Sequence, residues 1–357
     1  MLARRRPSGG GNGEANIESM VKNMNNRERV INSLNHKQPD KTPYNVSFTQ
    51  KSHDAMVKFY NDSNFASKLG NCFTHLDCIP KDCLKEISPN IWQDHFGVQW
   101  NRTYDKDIGV VCNRVVTPEN VNEYIFPNPD DPSWYETWNG RMKSNPDGFY
   151  IAKVSFSLFE RAWAMTGMEN LLMAMIMEKE FVHTLFDRIL EYNLKIINNA
   201  LSYNVDGMQF GDDWGQQTGL LMGPALWREF IKPRVTQMYQ TIRKKNKWVF
   251  IHSCGKVQEL FPELIECGLN VFNPFQPEVM DVNEMKEKYG DSLSFYGGIS
   301  TQNTLPYGTP VQVKEEVHRL IEKVGKNGGY FASPAHSIPA DAKPENIAAM
   351  IEVLQNQ

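Results

Sequence analysis

From about residue 149 to residue 355 the sequence alternates short apolar runs with longer segments of helical periodicity, and no other property constrains the fold as tightly. The runs are FYIAKVSF, DGMQF, KWVFI, LNVFN, LSFYGG and GYFAS. Between them the spacing predicts helices over about 168–201, 224–246, 256–267, 282–289 and 310–326, with a closing helix over 344–355. Apolar strands separated by amphipathic helices form parallel βαβ units, because a parallel connection needs a crossover and the crossover helix covers the sheet. Upstream, RERVINSL puts Val30, Ile31 and Leu34 on one helical face, and Pro39 and Pro43 end that helix before the extended run YNVSF at 44–48. With that run the strand count favours closure into an α/β, (β/α)8 TIM-type barrel over an open doubly wound sheet. Residues 50–150 keep a different rhythm. There FGVQWNRTY and GVVCNRVV read as strands and 127–148 as a Pro- and Trp-rich loop, so an N-terminal insertion, a hairpin or cap, is expected.

One barrel can absorb 357 residues, so 25–357 is expected to be a single barrel domain. Residues 1–24 are expected to be a flexible leader: they carry Arg4-Arg5-Arg6 and Gly9-Gly10-Gly11 but lack the apolar core of a secretory signal. Thirty-eight basic against 42 acidic residues, net −4, argue against nucleic acid as a partner. No window approaches the run of about 18 apolar residues that a spanning helix needs, so no membrane role is expected. Six cysteines in so long a chain are too sparse for a disulfide framework and suit a reducing, cytoplasmic compartment. Neither GxGxxG after a strand nor GxxxxGK[ST] is present, which removes the two common nucleotide fingerprints.

In such a barrel the working residues sit where strands end and the following loops begin. The sequence offers Glu160-Arg161, Gly211-Asp212-Asp213-Trp214-Gly215, His252-Ser253-Cys254-Gly255, Pro274-Phe275-Gln276 and Pro334-Ala335-His336 at those positions. His252 and Cys254, two apart on extended chain, point to one side. An imidazole nitrogen with a thiolate sulfur suits Zn²⁺; a capping His beside a buried free Cys is the plainer alternative. His336, at the end of the last strand, would be carried by barrel closure to the same rim, and three ligands with an open position describe a catalytic zinc. Glu160, Asp212 or Asp213 could complete the sphere. Asp212 or Asp213 could also act as a general base or orient a substrate, unless the pair merely caps a helix. Glu160-Arg161 could equally be a structural ion pair. Cys72, Cys78 and Cys83, with His75 among them, lack the CxxC spacing of a zinc ribbon and read as incidental, and the Met-rich stretch 165–177 reads as core filling.

Taken with RERVINSLNHKQPDKTP, DHFGVQW, GDDWGQQTGLLMGPALWREFIKPR, IHSCGKVQELFPELIECGLNVFNPFQPE, FYGGIS and GGYFASPAHSIPADAKPENIAAM, these residues make the chain resemble the uroporphyrinogen decarboxylase superfamily from about residue 25 onward. Within it, the resemblance is to the corrinoid-linked methyltransferase branch. It implies a (β/α)8-type barrel. The decarboxylase itself matches poorly: its Arg-bearing FMRQAGR segment is replaced here by VSFTQKSHDAM, which has no arginine. The methyltransferase branch is characterised by a zinc site of HxC and a distal Cys in a Pro-Gly-Cys context. His252 and Cys254 match that motif, whereas the distal position falls on His336, an imidazole in place of a thiolate. Two His and one thiolate leave Zn²⁺ formally at plus one rather than neutral, a stronger Lewis acid suited to an ether oxygen. GDDWGQQ also looks like the branch that demethylates methoxylated compounds. The resemblance therefore implies zinc-dependent methyl transfer from a methoxylated, aromatic donor to the cobalt of a corrinoid. No DxHxxG segment occurs, so the corrinoid is expected on a separate protein. Trp214, Arg161 and Gln276 are candidate substrate contacts, and Trp92, Trp134, Trp138 and Trp163 candidate aromatic walls. The alternatives are transfer from methylcobamide to a thiol or pterin, a zinc hydrolase or lyase, a decarboxylase, and a binding protein without chemistry.

Overall fold

The computed structural model describes residues 24–357, so the leader expected over 1–24 lies outside the described residues but for Met24. The framework is a parallel sheet built from β1 (Phe73–Asp77), β6 (Phe149–Val154), β7 (Gly207–Gly211), β10 (Trp248–His252), β11 (Val271–Phe275), β12 (Ser294–Ile299) and β13 (Tyr330–Pro334). Intervening short strands are β2 (Leu84–Ser88), β3 (Ile91–Asp94), β4 (Gln99–Asn101), β5 (Val110–Val111), β8 (Gly215–Gln216) and β9 (Gly219–Leu220). The seven-stranded sheet closes through the segment 43–48. On one side Asn45 N–H donates to Ala332 O and Ala332 N–H to Pro43 O; on the other Cys72 N–H donates to Tyr44 O. Pro43 has no N–H to give and Asn71 substitutes a side chain for backbone, its amide bonding both Val46 N–H (2.8 Å) and Val46 O (2.9 Å). The run expected at 44–48 is thus the stave that completes the barrel, held by bridges rather than a regular ladder.

Residues 50–150 divide differently from expectation. A helix, Gln50–Tyr60, and β1 belong to the barrel, and the insertion begins only after Asp77, where β2 to β5 form an antiparallel four-stranded sheet. The long helices are also broken. The helix expected over 168–201 starts after Gly167 as read but is interrupted at Glu178, between Met177 and Lys179, and in the one expected over 224–246 Trp227–Ile231 is a π-turn ahead of Lys232–Arg243, where Pro233 cannot donate to the preceding turn.

The barrel interior changes character along its axis. Phe73, Phe149, Ile151, Phe250, Val271, Tyr296 and Phe331 pack with Val30 and Leu34 of the first helix into an apolar plug at the N-terminal ends of the strands. Arg27 of that helix pairs its guanidinium with both carboxylate oxygens of Asp206 and donates to Gly148 O, pinning the plug in place. One pleat further along, the inward positions become polar: Asn45, His75, Lys153, Gln209, His252, Asn273 and Ser333. The helices bury their apolar faces on the outside of the sheet in a second, larger cluster. No helix among the described residues is long and apolar enough to cross a membrane.

Candidate metal centre and cavity

The polar layer opens into a cavity of about 320 Å³ at the C-terminal mouth of the barrel, lined also by Ser47, Ser155, Phe156, Glu160, Asp213, His336 and Ser337. Ile108, from the β4–β5 loop of the insertion, leans over it. Above one wall, His252, Cys254 and His336 bring one ligand atom each within 4.8 Å of one another.

Each is aimed by its surroundings. Asn273 Nδ2 donates to Tyr296 O (2.9 Å), which turns Asn273 Oδ1 toward His252 Nδ1 at 2.6 Å. An amide oxygen only accepts, so His252 carries its proton on Nδ1 and keeps a bare lone pair on Nε2. Nε2 lies 3.4 Å from Cys254 Sγ, an edge length suited to two ligands of a tetrahedral zinc whose bonds are ~2.0–2.3 Å. Cys254 N–H donates to Asp213 Oδ1 (2.8 Å) and Gly255 N–H to Gln276 Oε1 (2.8 Å), which fixes the loop. Gly255 sits at φ +84°, and a Cβ there would lie 2.5 Å from Gly215 C, so the HSCG turn and the β8–β9 hairpin cross in backbone contact. His336 completes the group, its ring 5.4 Å from that of His252. Burial and the adjacent Asp213 push the Cys254 thiol up, and burial followed by the neighbouring His252 pushes His336 down. A thiol held protonated without a cation, beside two imidazoles, is a donor set that a divalent metal would deprotonate and join. The residues therefore fit a borderline-soft metal.

The structure separates the sequence candidates. His252, His336, Asp213 and Glu160 line the cavity, and Cys254 stands beside them. Burial, then Asp213 and Asp212, push the Glu160 carboxyl well up. Asp212 is elsewhere: wholly buried, it accepts from Leu158 N–H, Glu160 N–H and Trp214 Nε1, starting the helix Phe159–Thr166. Burial pushes it up to about 6. Trp214 is sealed in the core with it. Arg161 pairs with Asp94 (3.0 Å) and lies 3.8 Å over Phe96, tying the barrel to the insertion. Gln276 serves the HSCG turn. As side chains facing the cavity, then, Asp212, Trp214, Arg161 and Gln276 are corrected to supporting positions, because the bonds each makes run to the scaffold. Trp134 and Trp138 are buried in the outer cluster, Trp92 lies beneath Arg102, and Trp163 packs on Trp100 and Phe156; the cavity's apolar walls are Phe156 and Ile108.

Reasoning from strand ends missed the inward residues within the strands. His75, read as incidental, bonds Gln209 Oε1 through Nε2 at 2.8 Å on the cavity floor, and burial followed by Lys153 lowers it to about 4. The signal was the every-second-residue change from apolar to polar: Phe73, His75; Ile151, Lys153; Gly207, Gln209; Val271, Asn273; Phe331, Ser333. All six cysteines are free, and Cys72 and Cys78 are buried.

A parallel barrel that gathers its polar groups, with a His–Cys–His cluster, at the C-terminal mouth has the form of a catalytic barrel. A profile of the uroporphyrinogen decarboxylase (URO-D) family matches residues 94–357, and the chain belongs to that family. Among curated relatives, the uroporphyrinogen decarboxylase of Methylococcus capsulatus is 21% identical over 177 residues, 50% of this chain and 49% of that protein. The methylcobamide:CoM methyltransferase MtaA of Methanosarcina barkeri is 28% identical over 132 residues, 37% of this chain and 36% of that protein. The chain thus spans about half the length, or less, of the curated relatives it matches. A solved methyltransferase from Methanosarcina mazei superposes with a TM-score of 0.68 over 93% of this chain and 98% of that one, at 16% identity, a likeness of fold.

Proposed function

We propose that this protein is a zinc-dependent methyltransferase that moves a methyl group from a methoxylated, aromatic compound to the cobalt of a corrinoid carried by a separate protein. The observation that carries the reading is the convergence of His252 Nε2, Cys254 Sγ and His336 above a barrel cavity. Zinc, when bound there, would supply a Lewis acid at the donor's ether oxygen. The chain's own residues do the rest. Asn273 holds His252 in the ligating tautomer, Asp213 holds the Cys254 turn, and Glu160 faces the same space with the proton that a leaving oxygen takes up. Phe156 and Ile108 offer an apolar wall to a ring. Among the described residues that line the cavity Lys153 is the one Lys or Arg, which disfavours a polycarboxylate such as a porphyrinogen. The likeness to a methylcobamide:CoM methyltransferase supports a second reading, transfer in the opposite direction to a thiol.

Metal analysis of purified protein comes first: about one zinc per chain is expected, lost in both His252→Ala and Cys254→Ser. The zinc-loaded protein should then demethylate methoxyarenes in the presence of a Co(I) corrinoid protein. Methylation of thiols without demethylation selects the second reading, and absence of zinc after reconstitution removes both.

A further inference from the structure

Lys153 and Gln209 are register partners on adjacent strands β6 and β7, side by side in the polar layer of the cavity. Each keeps a donor free of the scaffold among the described residues. Lys153 has no carboxylate within ion-pair reach among the described residues, although it stands half-buried inside a barrel, where an uncompensated ammonium is costly. Gln209 is 5% exposed. Its Oε1 is engaged by His75 Nε2, which leaves its amide nitrogen a donor without a partner among the described residues. Of the cavity hydroxyls, Ser333 Oγ donates to Pro334 O, and Ser47 and Ser337 pair with each other.

An ammonium and an amide N–H₂ set next to each other, both open to one small cavity, match the two oxygens of a carboxylate. We propose that Lys153 Nζ and Gln209 Nε2 form an oxyanion subsite that recognises the carboxylate of the methyl donor, the donor's methyl-bearing end reaching across to the His252–Cys254–His336 cluster. The substrate class is therefore a small methoxylated acid with one carboxylate rather than a neutral methoxyarene. This rests on the methyl-donor reading above, and it also commits to where the charge is held: on the floor, not at the metal centre.

The test is calorimetric titration of 3-methoxybenzoate and methoxyacetate, each beside its neutral amide, into zinc-loaded and chelator-treated protein. The wild type is expected to bind the acids about ten- to a hundredfold more tightly than the amides in both metal states. Lys153→Met should abolish that preference, Gln209→Leu should reduce it, and Lys153→Arg should retain most of it, with unchanged far-ultraviolet circular dichroism showing that each variant is folded. Equal binding of acid and amide, no binding of either acid, a preference that survives Lys153→Met, or one that disappears on chelation overturns the subsite, the last by making the carboxylate a metal ligand. Tight, Lys153-dependent binding of acids by a protein that demethylates none of them with any corrinoid acceptor overturns the proposed function and leaves the subsite standing.

Discussion

Asn273 shows how much of the candidate centre is decided by residues that touch no metal. Its amide is turned by Tyr296 O, and in turn decides which nitrogen of His252 is bare. Partners of this kind typically contribute about ten- to a hundredfold in metal affinity. Asn273→Ala is accordingly expected to weaken zinc binding by about that factor in a chelator competition, with little change in melting temperature of the metal-free protein; zinc affinity equal to wild type would mean that His252 is oriented by something else. The proximity of His252 and Cys254 was legible in the sequence because residues two apart at a strand end face one side. Asn273 was not, since nothing in NVFNPF distinguishes an asparagine that orients an imidazole from one that ends a strand. The same limit explains Asp212 and Asp213, adjacent acids at the end of one strand: the pleat sends one into the core to start a helix and the other to the Cys254 turn.

At the scale of elements, the apolar runs from 149 onward were readable because strands covered on both faces stay largely apolar, even where one residue turns a polar side chain into the cavity. β1 was hidden because FTHLD has only Phe73 and Leu76 as apolar residues, so its pattern resembles the antiparallel insertion that follows. Breaks in the helices at Glu178 and Pro233 were likewise masked by continuous apolar periodicity. What periodicity cannot show at all is two loops in contact. Gly215 and Gly255 let the β8–β9 hairpin and the HSCG turn cross, and Lys256 N–H donates to Gln216 O (2.8 Å) to lock the crossing. Gly255→Ala would place a Cβ against Gly215 backbone at φ +84°, costing about 1–3 kcal/mol locally and pushing Cys254 out of line. The measurable outcome is loss of zinc. Gly268→Ala, at φ +106° in the cap of the helix Phe261–Cys267, is a matched control that should cost stability while keeping the metal. Equal zinc content in the two variants would show that the crossing does not position Cys254.

Over the whole molecule, one segment both closes the barrel and walls its cavity. Residues 43–48 join β13 to β1 and carry Asn45 and Ser47 into the cavity, with Asn45 Nδ2 donating to Tyr296 OH at 3.1 Å. The closing bonds are few, and two of them belong to the Asn71 side chain on Val46. Asn71→Ala leaves both Val46 backbone groups without those partners beside buried neighbours, at a cost of about 1–3 kcal/mol. Because β10 to β13 pair in parallel ladders, the β11–β12 one with a register shift after Phe272, and do not depend on Asn71, the loss should be local. Hydrogen exchange is therefore expected to accelerate at the amides of residues 45–48 and 72–73, while those of Phe272 and Phe331 keep their protection. Uniform acceleration across all strands would mean that the barrel opens only as a unit, and unchanged exchange at Val46 would mean that the seam is held by the bridges to Ala332 and Ile338 alone. Since Asn45 and Ser47 move with this seam, looser closure should also widen the cavity opposite Lys153, coupling the stability of the barrel to its grip on a bound acid.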